Sequence, residues 1–316
     1  MKTSVECLPC YLRQSLQTAR IAGADEESQR RAVLAVAALL PGLSPDKTPP
    51  ENSMAVYREI ADVTGVADPY QTIKTASNRD ACLALDALTP LLAAESDPLP
   101  LAIRFAIAGN IIDYGAAADF DVETAFRRCR DLPLAVDDSA ALITRIRTLR
   151  TGNQVLYLCD NAGEIVYDRL LIEEIAGQGA AVCVVVKAGP IINDATMADA
   201  REAGLGQFAE IIDNGAVCPG TPLVLCSPEF RRHFQKAALV IAKGQGNFES
   251  LSECERQVFF LLTVKCPVVG GHLAELAGLP QPLPGRGEMV VFQNNFSLSS
   301  SSVTGPSLIS DTRISA

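Results

Sequence analysis

No block of basic residues occurs in this 316-residue chain. Its 27 Lys plus Arg are scattered among 37 Asp plus Glu, for a net charge of −10. A polyanion held by counterion release, extended nucleic acid above all, is therefore not an expected partner. Long hydrophobic runs are missing as well. The longest, Ala32 to Leu40, is about half of the roughly 20 residues that a membrane helix needs, so no span is expected. The opening MKTSVECLPCYLRQ carries a Pro, two Cys and a Glu where a secretory signal would carry its apolar region, and the expectation is a cytoplasmic protein. Only two His are present, neither near Cys7 and Cys10, which argues against a His-rich zinc site. Ten Cys are too dilute for a disulfide scaffold, and several, such as Cys159, Cys183 and Cys226, sit in apolar runs as small hydrophobes. Cys7 and Cys10 form the single CxxC pair, without the second pair of a structural zinc site.

What is there is the balance of an ordinary globular protein, 48% apolar and 20% charged, long enough for one large or two small cores. The first half reads as successive helices: Leu12 to Ile21, Glu26 to Leu40, Ser53 to Val63, Ala81 to Leu92, Leu101 to Asp113, Val122 to Arg130 and Asp138 to Leu149. Strand-like runs are almost absent before residue 150. After it come short runs rich in Val, Ile and Leu: Gln154 to Cys159, Ala181 to Val186, Glu210 to Ile212, Ala238 to Ala242, Val258 to Val264 and Met289 to Phe292. Continuous apolar runs of that length suit strands covered on both faces. Helical patterns lie between several of them, at Glu164 to Ile175, Asp194 to Ala203 and Pro228 to Lys236. Strand alternating with helix predicts an α/β fold with a mostly parallel, Rossmann-like sheet sandwiched by helices. The expected organisation is a helical region over residues 1–150 that covers the site, an α/β/α domain over 151–296 that binds metal and phosphate, and a disordered Ser-rich tail over 297–316.

In an open parallel sheet, ligands bind beyond the carboxyl ends of the strands. The first strand of the second half runs into Asp160-Asn161-Ala162-Gly163-Glu164, and the next into Lys187-Ala188-Gly189-Pro190 and then Asn193-Asp194. Ala238 to Ala242 runs into Lys243-Gly244-Gln245-Gly246-Asn247-Phe248-Glu249, and Val258 to Val264 ends in Lys265. Each feature has an ordinary reading. Asp160-Asn161 and Asn193-Asp194 suit helix caps, a strand-end Lys is usually solvated, and Gly244-x-Gly246 suits a tight turn. Those readings predict no shared location, whereas a site predicts one. Two carboxylates at neighbouring strand tips repel unless protonated, separated or bridged by a cation. Oxygen donors from Asp160, Asp194 and the Asn161 amide suit a hard ion such as Mg²⁺ or Mn²⁺. Lys243 and Lys265, with helix N-termini and a Gly-rich loop, would offer positive potential beside it, which fits a phosphate group. Asp160 or Asp194 could take the proton of an attacking water, and Asp160 as a nucleophile stays open.

These stretches resemble the DUF89 family of metal-dependent phosphatases, also called damage-control phosphatases, in its prokaryotic CxxC branch. The likeness runs in order through Glu6-Cys7-Leu8-Pro9-Cys10 with Arg13-Gln14, Asp68-Pro69-Tyr70 with Lys74 and Ser77-Asn78, and Ala108-Gly109-Asn110-Ile111-Ile112-Asp113. It continues through Cys159 to Glu164, Lys187 to Pro190 with Asn193-Asp194, Lys243 to Glu249, and Leu262-Thr263-Val264-Lys265. The resemblance covers about residues 1–295. It implies a helical N-terminal region joined to a three-layer α/β/α domain, and hydrolysis of phosphate esters of small metabolites with a divalent metal (Mn, Mg, Co or Ni). It places that metal on Asp160, Asn161 and Asp194 and a phosphate contact on Lys265. Leu262 stands where the family motif has Arg.

The expected substrate contacts are thus Asn110, Asp113, Glu164, Lys187, Lys243, Gly244, Gln245, Gly246 and Asn247, with Asp160, Asp194 and Lys265 as catalytic residues. Asn110 and Asp113 share a helix face, which suits either a substrate or a neighbouring helix. Glu164 at a helix start would favour the macrodipole in any protein. Cys7 and Cys10 are expected as reduced thiols near the site. Alternative functions are a carboxyl methyltransferase, proposed for relatives in the family, and a non-catalytic metal- or metabolite-binding redox sensor. A dinucleotide enzyme lacks its GxGxxG fingerprint here.

Overall fold

The computed structural model describes residues 1–112 and 129–294. Alternation of buried side chains explains the architecture. In β2 (Gln154–Leu158), Val155 and Tyr157 enter one core while Leu156 and Leu158 enter another, so both faces of the strand are covered. The same holds for β5 (Leu239–Lys243) and β6 (Phe259–Val264), where Ile241 and Leu261 point one way and Val240, Ala242, Phe260 and Leu262 the other.

Among the described residues seven strands form one sheet in the order β1-β7-β6-β5-β2-β3-β4, with β1 Val136–Asp137, β3 Ala181–Val186, β4 Glu210–Asp213 and β7 Glu288–Gln293. Neighbours from β4 through β6 are parallel; β7 runs antiparallel to β6, and β1 runs parallel to β7. Against one face lie α4 (Gln71–Ala93), α5 (Leu99–Ile112), α6 (Ser139–Arg147) and α7 (Glu164–Gly177). Against the other lie α9 (Pro228–Lys236), α10 (Gly244–Leu251) and α11 (Pro267–Ala277). This is the predicted α/β class with a mostly parallel sheet between helix layers.

The N-terminal helices α1 (Cys7–Ile21), α2 (Glu26–Leu39) and α3 (Pro49–Thr64) gather a third small core around Tyr11, Val36, Val56, Tyr57 and Ile60, which Ile191 of the β3 crossover joins. That contact seats the cap on the sheet's carboxyl edge.

Several boundaries move for identifiable reasons. α3 starts four residues earlier than its pattern suggests, because Thr48 and Glu51 form a reciprocal capping box and Pro49 occupies the first helical position, where its missing N–H is harmless. α4 starts at Gln71, ten residues before the expected Ala81. β1 lies before residue 150, so a little of the sheet comes from the first half of the chain. The expected helix Val122 to Arg130 falls almost wholly outside the described residues, as does the expected disordered tail. Among the described residues no helix is long and apolar enough to cross a membrane.

Candidate active site at the switch point of the sheet

β2 pairs with β3 on one side and with β5 on the other, so the chain leaves β2 in one direction and later returns on its opposite flank. Loops diverge there and open a crevice. Asp160 and Asn161 follow β2 after Cys159. Asp194 is brought beside them by a short ladder: the Ala195 N–H donates to the Asp160 carbonyl at 2.8 Å and the Ala162 N–H to the Asn193 carbonyl at 2.9 Å, pairing Asn161 with Asp194. The capping readings fail. Gly163 occupies the N-cap of α7 with no side-chain cap bond, and Thr196, boxed with Asp199, caps α8 (Met197–Glu202). Asn193 and Asp194 therefore lie in the ladder rather than in the helix expected to begin at Asp194.

Asp160, Asn161 and Asp194 are 8%, 6% and 3% exposed and line an open crevice of about 740 Å³. Asp194 Oδ2 is buried and accepts no hydrogen bond, with Lys187 Nζ 3.6 Å away. Burial pushes the Asp160 carboxyl up to about 6, helped by Glu164 and opposed by Lys265, Lys187 and Lys243. Asp194 is pushed to about 7 by burial, against the pull of Lys187 and with a further push from Asp160. Two desolvated carboxyls and an amide at one crevice edge, one oxygen with no donor at hydrogen-bond distance and only the Lys187 ammonium 3.6 Å away, are suited to a hard divalent cation. Among the described residues no group of three or more His, Cys, Asp or Glu side chains is placed to hold a metal; the oxygens gathered here come from two carboxyls and one amide.

Lys265 is exposed on the same crevice, and its own N–H donates to Gln245 Oε1 at 2.9 Å. Leu262 is buried within the sheet core, 1% exposed. Gln245 and Gly246 line the crevice from the first turn of α10, so the expected tight turn is a helix start instead. Gln245 Nε2 also donates to Glu249 Oε1 at 2.9 Å, and burial pushes Glu249 to about 7. Cys7, Cys10 and Arg13 of α1 form the opposite wall. Cys7 and Cys10 are free thiols, as expected, and burial raises both, Cys7 to about 11. Ile192, with a φ of 46°, is the non-glycine residue in left-handed backbone among the described residues, and it lines the crevice beside Asn193.

Other expected phosphate contacts lie behind the crevice wall. Lys187 Nζ donates to the Gly220 carbonyl at 2.7 Å and is 2% exposed. Lys243 Nζ is fully buried, 2.6 Å from each of Glu164 Oε1, Asp168 Oδ1 and the Ala106 carbonyl. Burial alone would lower this lysine, but the two carboxylates hold it above its ordinary value. Asn247 donates to the Cys159 and Lys243 carbonyls and accepts from Thr221, tying β2, β5 and the 220 loop together. Glu164 is 1% exposed and faces Lys243. Gly244 packs against Asp160. The side chains of Lys187, Lys243, Glu164 and Asn247 are turned away from the crevice by buried partners within the protein. Asp113 and the Asn110 side chain fall outside the described residues.

Three contributors were not among the expected site residues. Asp168 shares the Lys243 amine with Glu164 and accepts from the Tyr157 hydroxyl at 2.8 Å; a carboxylate inside the apolar pattern of α7 was its signal. Asn78 of α4 accepts from the Gly163 N–H at 2.7 Å and donates to Asp199 and Glu202, fixing the turn after Asn161. Lys74 stands 3.6 Å from both Asp68 and Asp199.

Comparison with known proteins identifies the fold and the family. Damage-control phosphatase PH1575 of Pyrococcus horikoshii is 35% identical over 302 residues, covering 94% of this chain and 100% of the relative. A protein of Archaeoglobus fulgidus named damage-control phosphatase is 33% identical over 285 residues, covering 88% and 97%. The crystal structure of a DUF89 family protein from P. horikoshii superposes with a TM-score of 0.82 at 34% identity, over 93% of this chain and 100% of that one. Residues 3–278 match the model of the damage-control phosphatase ARMT1-like domain, and the chain belongs to that family.

Proposed function

We propose that this chain is a divalent-metal-dependent phosphatase acting on phosphate esters of small metabolites. The observation that carries the reading is the buried Asp194 oxygen with no hydrogen-bond partner, set beside Asp160 and Asn161 at the switch point of the sheet. Relatives named damage-control phosphatases, at about a third identity over nearly the whole chain, supply the reaction class. Asp160, Asn161 and Asp194 would hold the metal, which when bound supplies Lewis acidity to a phosphate oxygen and to water. Manganese or magnesium suits three oxygen donors.

The chain's own residues do the rest. Lys265, exposed on the crevice, attracts and holds the phosphate oxygens. Lys187, behind Asp194, offsets the charge of the buried carboxylates. The first turn of α10 turns its N–H groups and the positive end of its dipole toward the anion. A water attacks phosphorus as the bond to the ester oxygen breaks; Asp160 or Asp194 takes a proton from the water, and the departing oxygen gains a proton to leave as the alcohol. The cap of α1–α3 with Arg13 closes the far wall and selects the organic part of the substrate.

The test uses the metal-stripped full chain and measures phosphate release from a chromogenic ester and a panel of sugar phosphates. Release is expected only with added Mn²⁺ or Mg²⁺, and Asp160→Ala abolishes it. Full activity in excess chelator would refute the proposal.

A further inference from the structure

We infer that Glu164 and Lys243 are positioning residues that fix which way the Asn161 amide faces, and that neither touches the substrate. The inference rests on the metal reading of the site and extends it to the residues behind it. Lys243 Nζ can only donate, and its three N–H bonds have three acceptors at 2.6 Å: the Ala106 carbonyl, Asp168 Oδ1 and Glu164 Oε1. Asp168 in turn accepts from the Tyr157 hydroxyl at 2.8 Å, so the lysine's anchor is itself held. With Oε1 engaged by Lys243, Glu164 presents Oε2 to Asn161 Nδ2 at 3.1 Å.

The polarity of the chain of bonds then leaves no choice. An oxygen of a carboxylate must be met by a donor, so the amide turns its NH₂ toward Glu164, and the second amide N–H goes to Asp160 Oδ2 at 2.9 Å. Both amide hydrogens are used by carboxylates, and Asn161 Oδ1 is the atom left to bind a cation. Turned over, the amide would oppose its oxygen to two carboxylates and offer the metal hydrogen atoms. Lys243 also balances charge that would otherwise make a buried Glu164 and Asp168 repel each other. A lysine at this strand end therefore acts through Glu164 on a metal donor instead of reaching phosphate.

Glu164→Gln is the sharpest probe because it keeps the volume. Its oxygen must accept from Lys243, which turns its NH₂ onto the Asn161 NH₂ and opposes donor to donor. Mn²⁺ binding to the metal-free full chain, followed by calorimetry and by the electron-spin signal of free Mn²⁺, is expected to weaken by about 10- to 100-fold, the range seen when a partner of a metal ligand is lost. Saturating Mn²⁺ should restore turnover with an unchanged KM, while the melting temperature shows that the variant is folded. Lys243→Met should shift Mn²⁺ affinity in the same direction; if it fails to fold, Glu164→Gln decides alone. A folded Glu164→Gln protein that binds Mn²⁺ as tightly as the unsubstituted chain, or whose defect lies in inhibition by inorganic phosphate, would overturn the inference. Absence of Mn²⁺ binding by the unsubstituted chain would instead overturn the metal reading beneath it.

Discussion

Gly244 lies so close to Asp160 that a Cβ on it would sit 1.8 Å from Asp160 Oδ2. Its φ of 78° is also left-handed, so the position excludes a side chain twice over. Gly244→Ala is expected to displace the Asp160 carboxylate, weaken Mn²⁺ binding and abolish phosphate release. Gly23→Ala supplies the control: its φ is 73°, yet nothing lies within 4 Å of the added carbon. Backbone strain alone is worth roughly 1–2 kcal/mol. Melting temperatures should therefore fall in both variants, whereas metal affinity should fall in Gly244→Ala alone.

The raised carboxyls give the metal-free protein a characteristic response to pH. Asp160 near 6 and Asp194 near 7 keep protons in the folded state that the unfolded chain, with carboxyls near 3.8, has already released. Where the folded state binds more protons, stability falls as pH rises. These groups thus stabilise the metal-free fold fully below about pH 4, and that contribution is lost as pH rises through 6 to 7. Thermal melts of stripped protein from pH 5 to pH 8 should show this loss, and Asp194→Asn should flatten it. Added Mn²⁺ should raise the melting temperature more at pH 7.5 than at pH 5.5, because protons and the cation compete for the same oxygens.

How much of this was legible in the sequence depended on the scale of the feature. Apolar runs such as Ala181–Val186 fix where parallel strands end, and strand ends fix which loops meet, so the placing of Asp160, Asn161, Asp194 and Lys265 followed from pattern. Which way a strand-end side chain turns did not. Lys187, Lys243 and Lys265 look alike in sequence, but two find buried acceptors from residues far away in the chain, including Gly220 and Ala106, and one stays at the surface. Asp194 read as a possible helix cap because the competing cap, Thr196 with Asp199, lies only two residues on. Asp168 left a signal that periodicity alone could use: it shares a face of α7 with Glu164, one turn away, and it is fully buried. Buried acids on an apolar helix face imply a buried cation, and Lys243 is that cation.

The different surroundings of two lysines predict opposite phenotypes. Lys265 is exposed on the crevice, so Lys265→Ala should lower the melting temperature far less than Lys243→Met does. Loss of a charged contact to phosphate should lower kcat/KM by about 10- to 100-fold, equivalent to roughly 1.5–3 kcal/mol. Lys243→Met strands two buried carboxylates, and removal of one member of such a group destabilises by about 3–5 kcal/mol. Urea denaturation of both variants, beside steady-state kinetics of Lys265→Ala, separates the two effects. A normal kcat/KM for Lys265→Ala would remove that residue from phosphate binding.

Cys7 and Cys10 stand in the first turn of α1 on the crevice wall, a placing that in many proteins marks a reactive pair. Reactivity requires thiolate, and burial works against it here. It raises both thiols, with further pushes on Cys7 from Glu249, Cys266 and Cys10, and carries Cys7 to about 11. Cys10 is the more exposed and has Arg13 pulling it down, so it is the better nucleophile of the two. Iodoacetamide labelling of the folded, metal-free chain at pH 7.5 should therefore modify Cys10 before Cys7, and both more slowly than a small free thiol. The Cys7 rate should climb with pH until it levels near 11. Rapid labelling of Cys7 at neutral pH would mean that its thiolate is stabilised, and the pair would then qualify as a redox centre in its own right.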